Sequence, residues 1–116
     1  MMSQIRRDDR VTIEKKVETR DPEYGTEVEN WAVVAERIWA NAQDVLPSRA
    51  EKTANNMTTS TQATRLRILK GHMVTPDMRV TLHGRFGGRV MQIVSGPALM
   101  DDRMHNEFML EGYSHG

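Results

Sequence analysis

The clearest alternation of apolar and polar positions lies between Thr75 and Val94, where two runs rich in Val, Ile and Leu flank a Gly-Gly pair. The runs Thr75 to Leu82 and Arg89 to Val94 read as two strands, with His83 to Gly88 as the turn between them. With Gly87-Gly88 at the turn centre, Leu82 faces Ile93 and Gly84 faces Met91, so the apolar residues share one face. Centring the turn on Gly84-Arg85 would set Leu82 against Gly87 and leave the second run without apolar partners. Side chains alternate across a strand, so register decides which set is buried. A Gly-Gly pair also supplies the positive φ that a tight hairpin turn needs. Pro76 fixes φ just ahead of the first strand, where no ladder needs its N–H.

The same period of two recurs along the chain. Met1 to Asp9 is polar and expected to fray. From Arg10 to Glu18, Val11, Ile13 and Val17 alternate with Thr12, Glu14 and Lys16, as in a half-buried strand. Lys15 interrupts the apolar phase, and its stem can lie along the surface. Arg20-Asp21-Pro22-Glu23-Tyr24-Gly25 is a turn, because Pro presets φ and Gly tolerates a left-handed backbone. A long second strand follows from about Glu27 to Asn41 and carries two apolar phases. Trp31, Val33, Ala35 and Trp39 share one parity, Ile38 and Ala40 the other. A helix would also bring Ala32, Ala35 and Trp39 near one face, but the β-branched and aromatic content favours a bent or bulged strand. A strand that changes the face it buries is expected where a sheet closes on itself.

Residues 43–61 differ in kind. Ser48-Arg49-Ala50-Glu51 fits a capping box, so a short helix is expected over Ser48 to Asn56. From Lys52 to Thr61 Met57 is the one large apolar residue. A connection this long in a small β domain is usually functional or disordered. Gln62 to Lys70 reads as the third strand, with Thr64, Leu66 and Ile68 inward and Arg65 and Arg67 outward. Gly96-Pro97 is expected to break the strand after the hairpin, Ala98 to Met104 to form a loop, and Asn106 to Tyr113 to be the last strand. The expectation is a single all-β domain over 1–116, a small closed or partly open antiparallel barrel of about six strands. Its predicted core is Val11, Ile13, Trp31, Leu66, Ile68, Val80, Leu82, Met91, Ile93, Phe108 and Leu110.

Composition narrows the function classes. A chain of 116 residues is long enough to bury about two thirds of its extended surface. Sixteen basic and sixteen acidic residues, well mixed, give no global attraction to nucleic acid or anionic membrane. Cysteine is absent, which excludes disulfides, thiolate metal sites and a catalytic thiol. The N-terminus lacks a secretory pattern and no apolar run approaches the ~20 residues of a membrane span, so a soluble, intracellular chain is expected.

Candidate chemistry is sparse. His72, His83, His105 and His115 show no helical pair spacing for zinc. Asp101-Asp102 with Glu107 lacks the spacing and central Gly of an EF-hand loop. Gly84-Arg85-Phe86-Gly87-Gly88 lacks the Lys-Ser/Thr and following helix of a phosphate loop. Ser48, Ser60 and Ser95 sit in no nucleophile elbow. Arg65, Arg67, Lys70, Arg79, Arg85 and Arg89 could share a basic face for single-stranded nucleic acid, but such sites also want stacking aromatics, and few are present. The expectation is a non-enzymatic protein without metal or cofactor.

Taken together, the order of elements resembles the head–tail joining (head-closure or stopper) proteins of long-tailed bacteriophages and prophages. The resemblance spans about Arg7 to Tyr113 and rests on Arg10-Val11-Thr12-Ile13-Glu14, Asp21-Pro22-Glu23-Tyr24-Gly25, Trp31, and Ile38-Trp39-Ala40. It continues through the long polar loop, Thr64-Arg65-Leu66-Arg67-Ile68, Thr75-Pro76-Asp77-Met78-Arg79-Val80 and Gly88-Arg89-Val90-Met91-Gln92-Ile93. It implies a small β-barrel stacked as a ring beneath the portal–adaptor, continuing the DNA channel and offering the tail a docking face. By the same resemblance, residues 43–61 border or occlude the channel, with Arg49, Lys52, Asn55, Asn56 and Met57 as channel or inter-subunit candidates. The implied partners are portal or adaptor proteins and a tail-terminator or tail-completion protein. Packaged DNA would pass without sequence-specific contacts, and no membrane is involved. The implied location is the virion, with the host cytoplasm during assembly. Strand one is less apolar than the family pattern, and the Met- and Asp-rich stretch from Ala98 to His105 is atypical of it. The main alternative is a small barrel that binds single-stranded nucleic acid or a protein as a regulator.

Overall fold

The computed structural model describes residues 5–20, 22–25, 27–46 and 63–112, with backbone alone at 27 and 28. Six strands follow in order: β1 (Asp9–Arg20), β2 (Glu27–Val45), β3 (Ala63–Leu69), β4 (Arg79–Leu82), β5 (Arg89–Leu99) and β6 (His105–Gly112). A single 3-10 turn, Gly84–Phe86, lies between β4 and β5. Neighbours pair antiparallel in the order β1-β2-β3-β6-β5-β4, and β4 returns to β1 to close the barrel. Closure removes the unpaired strand edges that an open sheet would expose.

Alternation fills the interior. β3 places Thr64, Leu66 and Ile68 inside, and β6 opposes Leu110 to Thr64 and Phe108 to Leu66. Val11, Ile13, Val80, Leu82, Met91, Ile93, Phe108 and Leu110 are buried with them, joined by Ala35, Ala40, Ala42 and Val74.

The β4–β5 register differs from the one read in the sequence. Leu82 pairs with Arg89 and Val80 with Met91, so the turn is centred on Arg85-Phe86. The 3-10 turn lengthens the connection, and Gly84, Gly87 and Gly88 all take positive φ in it. The slip of four residues is even, so every side chain keeps its face. Gly96-Pro97 does not break the strand either. β5 continues through it to Leu99, with register shifts against β6 between Ile93 and Ala98. A Cβ at Gly96 would lie 2.8 Å from the Glu107 carbonyl oxygen and 2.9 Å from Phe108 Cδ2, so β5 lies tight on β6 there.

Trp31 is a correction. It is half-buried and outside the core, with the Arg79 guanidinium 4.1 Å from its ring centroid. The cause is two extra residues in β2. Val11 pairs with Ile38, Ile13 with Ala35 and Glu14 with Val33, so each step inserts one residue and reverses the face. Ala40 and Ala42 are buried from one parity and Ala35 from the other, and the second bulge turns Val33 and Trp31 back outward. Arg37, in the first bulge, has φ 47°, a left-handed conformation unusual for a residue with a Cβ. Trp31→Ala should therefore cost about 1–2 kcal/mol, less than the ~3–5 kcal/mol of a fully buried aromatic. Urea denaturation of the variant checks this; a loss above about 3 kcal/mol would return Trp31 to the core.

Asp9 is the other correction at this end of β1. It was expected to fray, but it opens the strand and is nearly buried. Its carboxylate accepts the Ala42 N–H at 3.1 Å and the Arg85 guanidinium at 3.0 and 3.3 Å.

The two ends of the barrel differ. Beyond Glu14, β1 has no partner but β2, so residues 15–20 and 27–32 form a two-stranded ribbon that extends past the barrel. The link from β3 to β4 and the turn from β5 to β6 lie toward the same end, joined by Lys70 N–H donating to the Met104 carbonyl. At the opposite end sit residues 5–8, the 3-10 turn, Gly112 and the exit from β2.

Candidate assembly surfaces

The prospective basic face is largely neutralised. Arg65 and Arg67 share Glu107 at 3.9 and 2.8 Å, Arg79 meets Glu14 at 2.8 Å, Arg85 meets Asp9 at 3.0 Å and Arg89 meets Asp44 at 2.9 Å. Two of these are residues set directly opposite in the ladder, Arg67 with Glu107 and Arg79 with Glu14. Of the six cations, Lys70 alone has no carboxylate partner among the described residues. The more exposed pairs among these contribute about 0–1 kcal/mol each, so their main effect is on the surface field. Burial opposes ionisation of Asp44, but hydrogen bonds from Arg89 and Thr64 outweigh it and hold the carboxyl below its ordinary value. The Arg85 guanidinium is shifted up, chiefly by its hydrogen bond to Asp9.

One open cleft of about 630 Å³ lies at the end opposite the ribbon, lined by Arg6, Asp8, Asp9, Arg10, Arg37, Trp39, Asn41, His83, Gly84 and Arg85. Trp39 is 49% exposed and carries the Arg10 guanidinium 3.7 Å from its ring centroid. Arg10 Nη1 also donates to the Arg37 carbonyl at 2.9 Å, across the bulge. Thr12 Oγ1 accepts the Arg37 N–H at 3.2 Å and lies 2.7 Å from His83 Nε2. Arg6 and Arg85 have carboxylate partners in Asp8 and Asp9, whereas Arg10 and Arg37 have none among the described residues. The cleft is thus cationic with one aromatic face.

A second local device shapes the far end. Asp102 Oδ1 accepts the N–H groups of Met104 and His105 at 2.9 and 3.1 Å, and Asp102 Oδ2 lies 2.7 Å from His105 Nδ1. Both side chains are buried, and His105 Nε2 has no hydrogen-bond partner. The Met104 N–H, helped by the imidazole and N–H of His105 and opposed by burial, lowers the Asp102 pKa to about 2. A carboxyl depressed on folding adds stability above its unfolded value and loses it as pH falls through the folded one. Asp102→Asn should thus be less stable than the parent by a constant amount above about pH 5, and the gap should close toward pH 2. Parallel urea titrations across that range check it; a pH-independent gap would contradict it.

Arg49, Lys52, Asn55, Asn56, Met57 and the expected helix over Ser48 to Asn56 lie outside the described residues. What is placed is the base of that segment, where Val45 pairs with Ala63 at the cleft end of the barrel. Among the described residues no three His, Asp or Glu are grouped to hold a metal ion, and no helix is long and apolar enough to cross a membrane. Sequence reasoning missed Arg10, Arg37 and Trp39 as a group, because the bulge that gathers them has no glycine to announce it. It also missed the Asp102–His105 turn, for which an Asp two residues ahead of a turn amide is a usable signal.

The solution structure of protein SF1141 from Shigella flexneri 2a shares this fold, with a TM-score of 0.72 at 23% identity over 99% of this chain and 100% of that one. No curated protein matches. The phage head completion protein family matches residues 2–110, which include all six strands but the last two residues of β6. With nearly its whole length matched, the chain belongs to the phage head completion protein family.

Proposed function

We propose that this chain is a ring subunit of a phage or prophage head–tail connector that closes the portal channel after packaging and docks the tail. The observation that carries the reading is the family match over residues 2–110. The family supports a non-enzymatic virion component at the head–tail interface that contacts other head and tail proteins. Closure of the channel, the docking of the tail and the portal, adaptor and tail-completion proteins as neighbours belong to the proposal. Gln43 to Val45, expected to open the long loop, instead extend β2 against β3, so the reading places the remainder, residues 46–61, at the channel, its base springing from one barrel end.

The rival, a barrel that reads single-stranded nucleic acid, is disfavoured because five of its six cations face carboxylates. The free chain is a monomer in this reading, and subunits close into a ring only where a portal aligns them. The test is nuclease protection of packaged DNA in heads that lack this protein. Adding the purified chain should restore protection and competence to join tails. Heads that stay nuclease-sensitive and tailless would overturn the reading.

A further inference from the structure

We propose that the tip of the β1–β2 ribbon inserts into the arginine cleft of a second copy of this chain. The two surfaces are complementary in charge. From Glu18 to Glu27 the sequence carries Glu18, Asp21, Glu23 and Glu27 against the single cation Arg20, while Glu29 beyond them pairs with Lys16 at 2.8 Å. At the turn, residues 22–25 are all exposed, and Tyr24 is 77% exposed, an aromatic side chain presented at the end of an arm. The cleft offers what this tip lacks: Arg10 and Arg37 without carboxylate partners among the described residues, and the exposed ring of Trp39. Tyrosine, tryptophan and arginine are the residues enriched at protein contacts, and a single small contact of this kind is weak enough to leave the free chain a monomer. Carboxylates ahead of guanidiniums add orientation and a faster encounter.

A chain cannot satisfy the contact with its own parts. Arg10 and Arg20 lie at opposite ends of β1, about 33 Å apart along an extended strand. Donor and acceptor surfaces at opposite ends of the β1–β2 pair make a head-to-tail contact, which closes into a ring when the rotation between copies permits. The inference rests on the ring reading for that closure, and adds which surfaces meet.

The chain has no cysteine, so introduced thiols report the contact without background. Pro22→Cys marks the tip and Asp8→Cys the rim of the cleft, and neither removes a basic cleft side chain or the tip tyrosine. The two full-length variants, mixed at high concentration and low salt under mild oxidation, should give the mixed disulfide as the dominant dimer. Tyr24→Ser in the tip variant, Arg37→Glu in the cleft variant, or added salt should each suppress it. Same-variant dimers equal to the mixed one, or no cross-linking, would overturn the inference. So would duplex DNA binding at the cleft in place of the tip. Imaging of unmodified protein on filled heads keeps the two failures apart. A ring whose tips lie away from the clefts sinks this inference alone, whereas an empty portal vertex sinks the ring reading.

Discussion

Phe108→Ala should lower stability by about 3–5 kcal/mol, the usual cost of emptying a buried aromatic site. Phe108 is 1% exposed and is the largest fully buried side chain. It sits on β6 between β3 and β5, opposite Leu66, with the backbone of Gly96 pressed against its ring. A site held by paired strands on both sides has little freedom to collapse, so the cavity term should persist. Domains of this size have about 5–15 kcal/mol in total, so the variant should unfold at least about 10 °C earlier. Thermal and urea denaturation followed by circular dichroism would measure this. A loss below about 1 kcal/mol would mean that the ring does not hold the core together.

The second large effect is on assembly rather than on stability. Deleting Lys52 to Ser60 should leave the barrel folded and yet abolish head completion. Val45 and Ala63 are paired neighbours, so the chain between them needs only to span one hydrogen-bonded rung. Residues 46–62 number seventeen, and removing nine leaves eight, ample for a β connection. A shorter loop also lowers the closure entropy slightly. The melting temperature should therefore hold or rise, while heads supplied with the variant leak DNA or fail to join tails. Normal completion by the shortened chain would remove this segment from the mechanism.

How far the fold was legible depends on where residues were inserted. β3 and the Phe108–Leu110 half of β6 carry no extra residue, so Thr64, Leu66 and Ile68 alternate with Arg65 and Arg67 in the sequence as they do in the barrel. The closed antiparallel barrel follows from such runs. β2 was harder to read. Its two changes of face were visible as mixed parity, but their positions were not, and a slip of one residue was enough to move Trp31 out of the core. The β4–β5 register was misread by four residues because the 3-10 turn uses Arg85 and Phe86, which have no turn signature of their own. The candidate surface was the least legible part. Arg10, Arg37 and Trp39 come together only through cross-strand pairing around a bulge, and pairings such as Asp9 with Arg85 join residues 76 positions apart. Charge counting along the sequence sees the cations and not their partners. It therefore raised a basic face that the barrel cancels.

The most direct measurement is imaging of filled, tailless heads after addition of the purified chain. The account predicts a closed ring of density beneath the portal, fitted by copies of this barrel, with the connection between Val45 and Ala63 of each turned to the axis. Heads whose portal vertices remain bare, or protein bound elsewhere on the capsid, would contradict it.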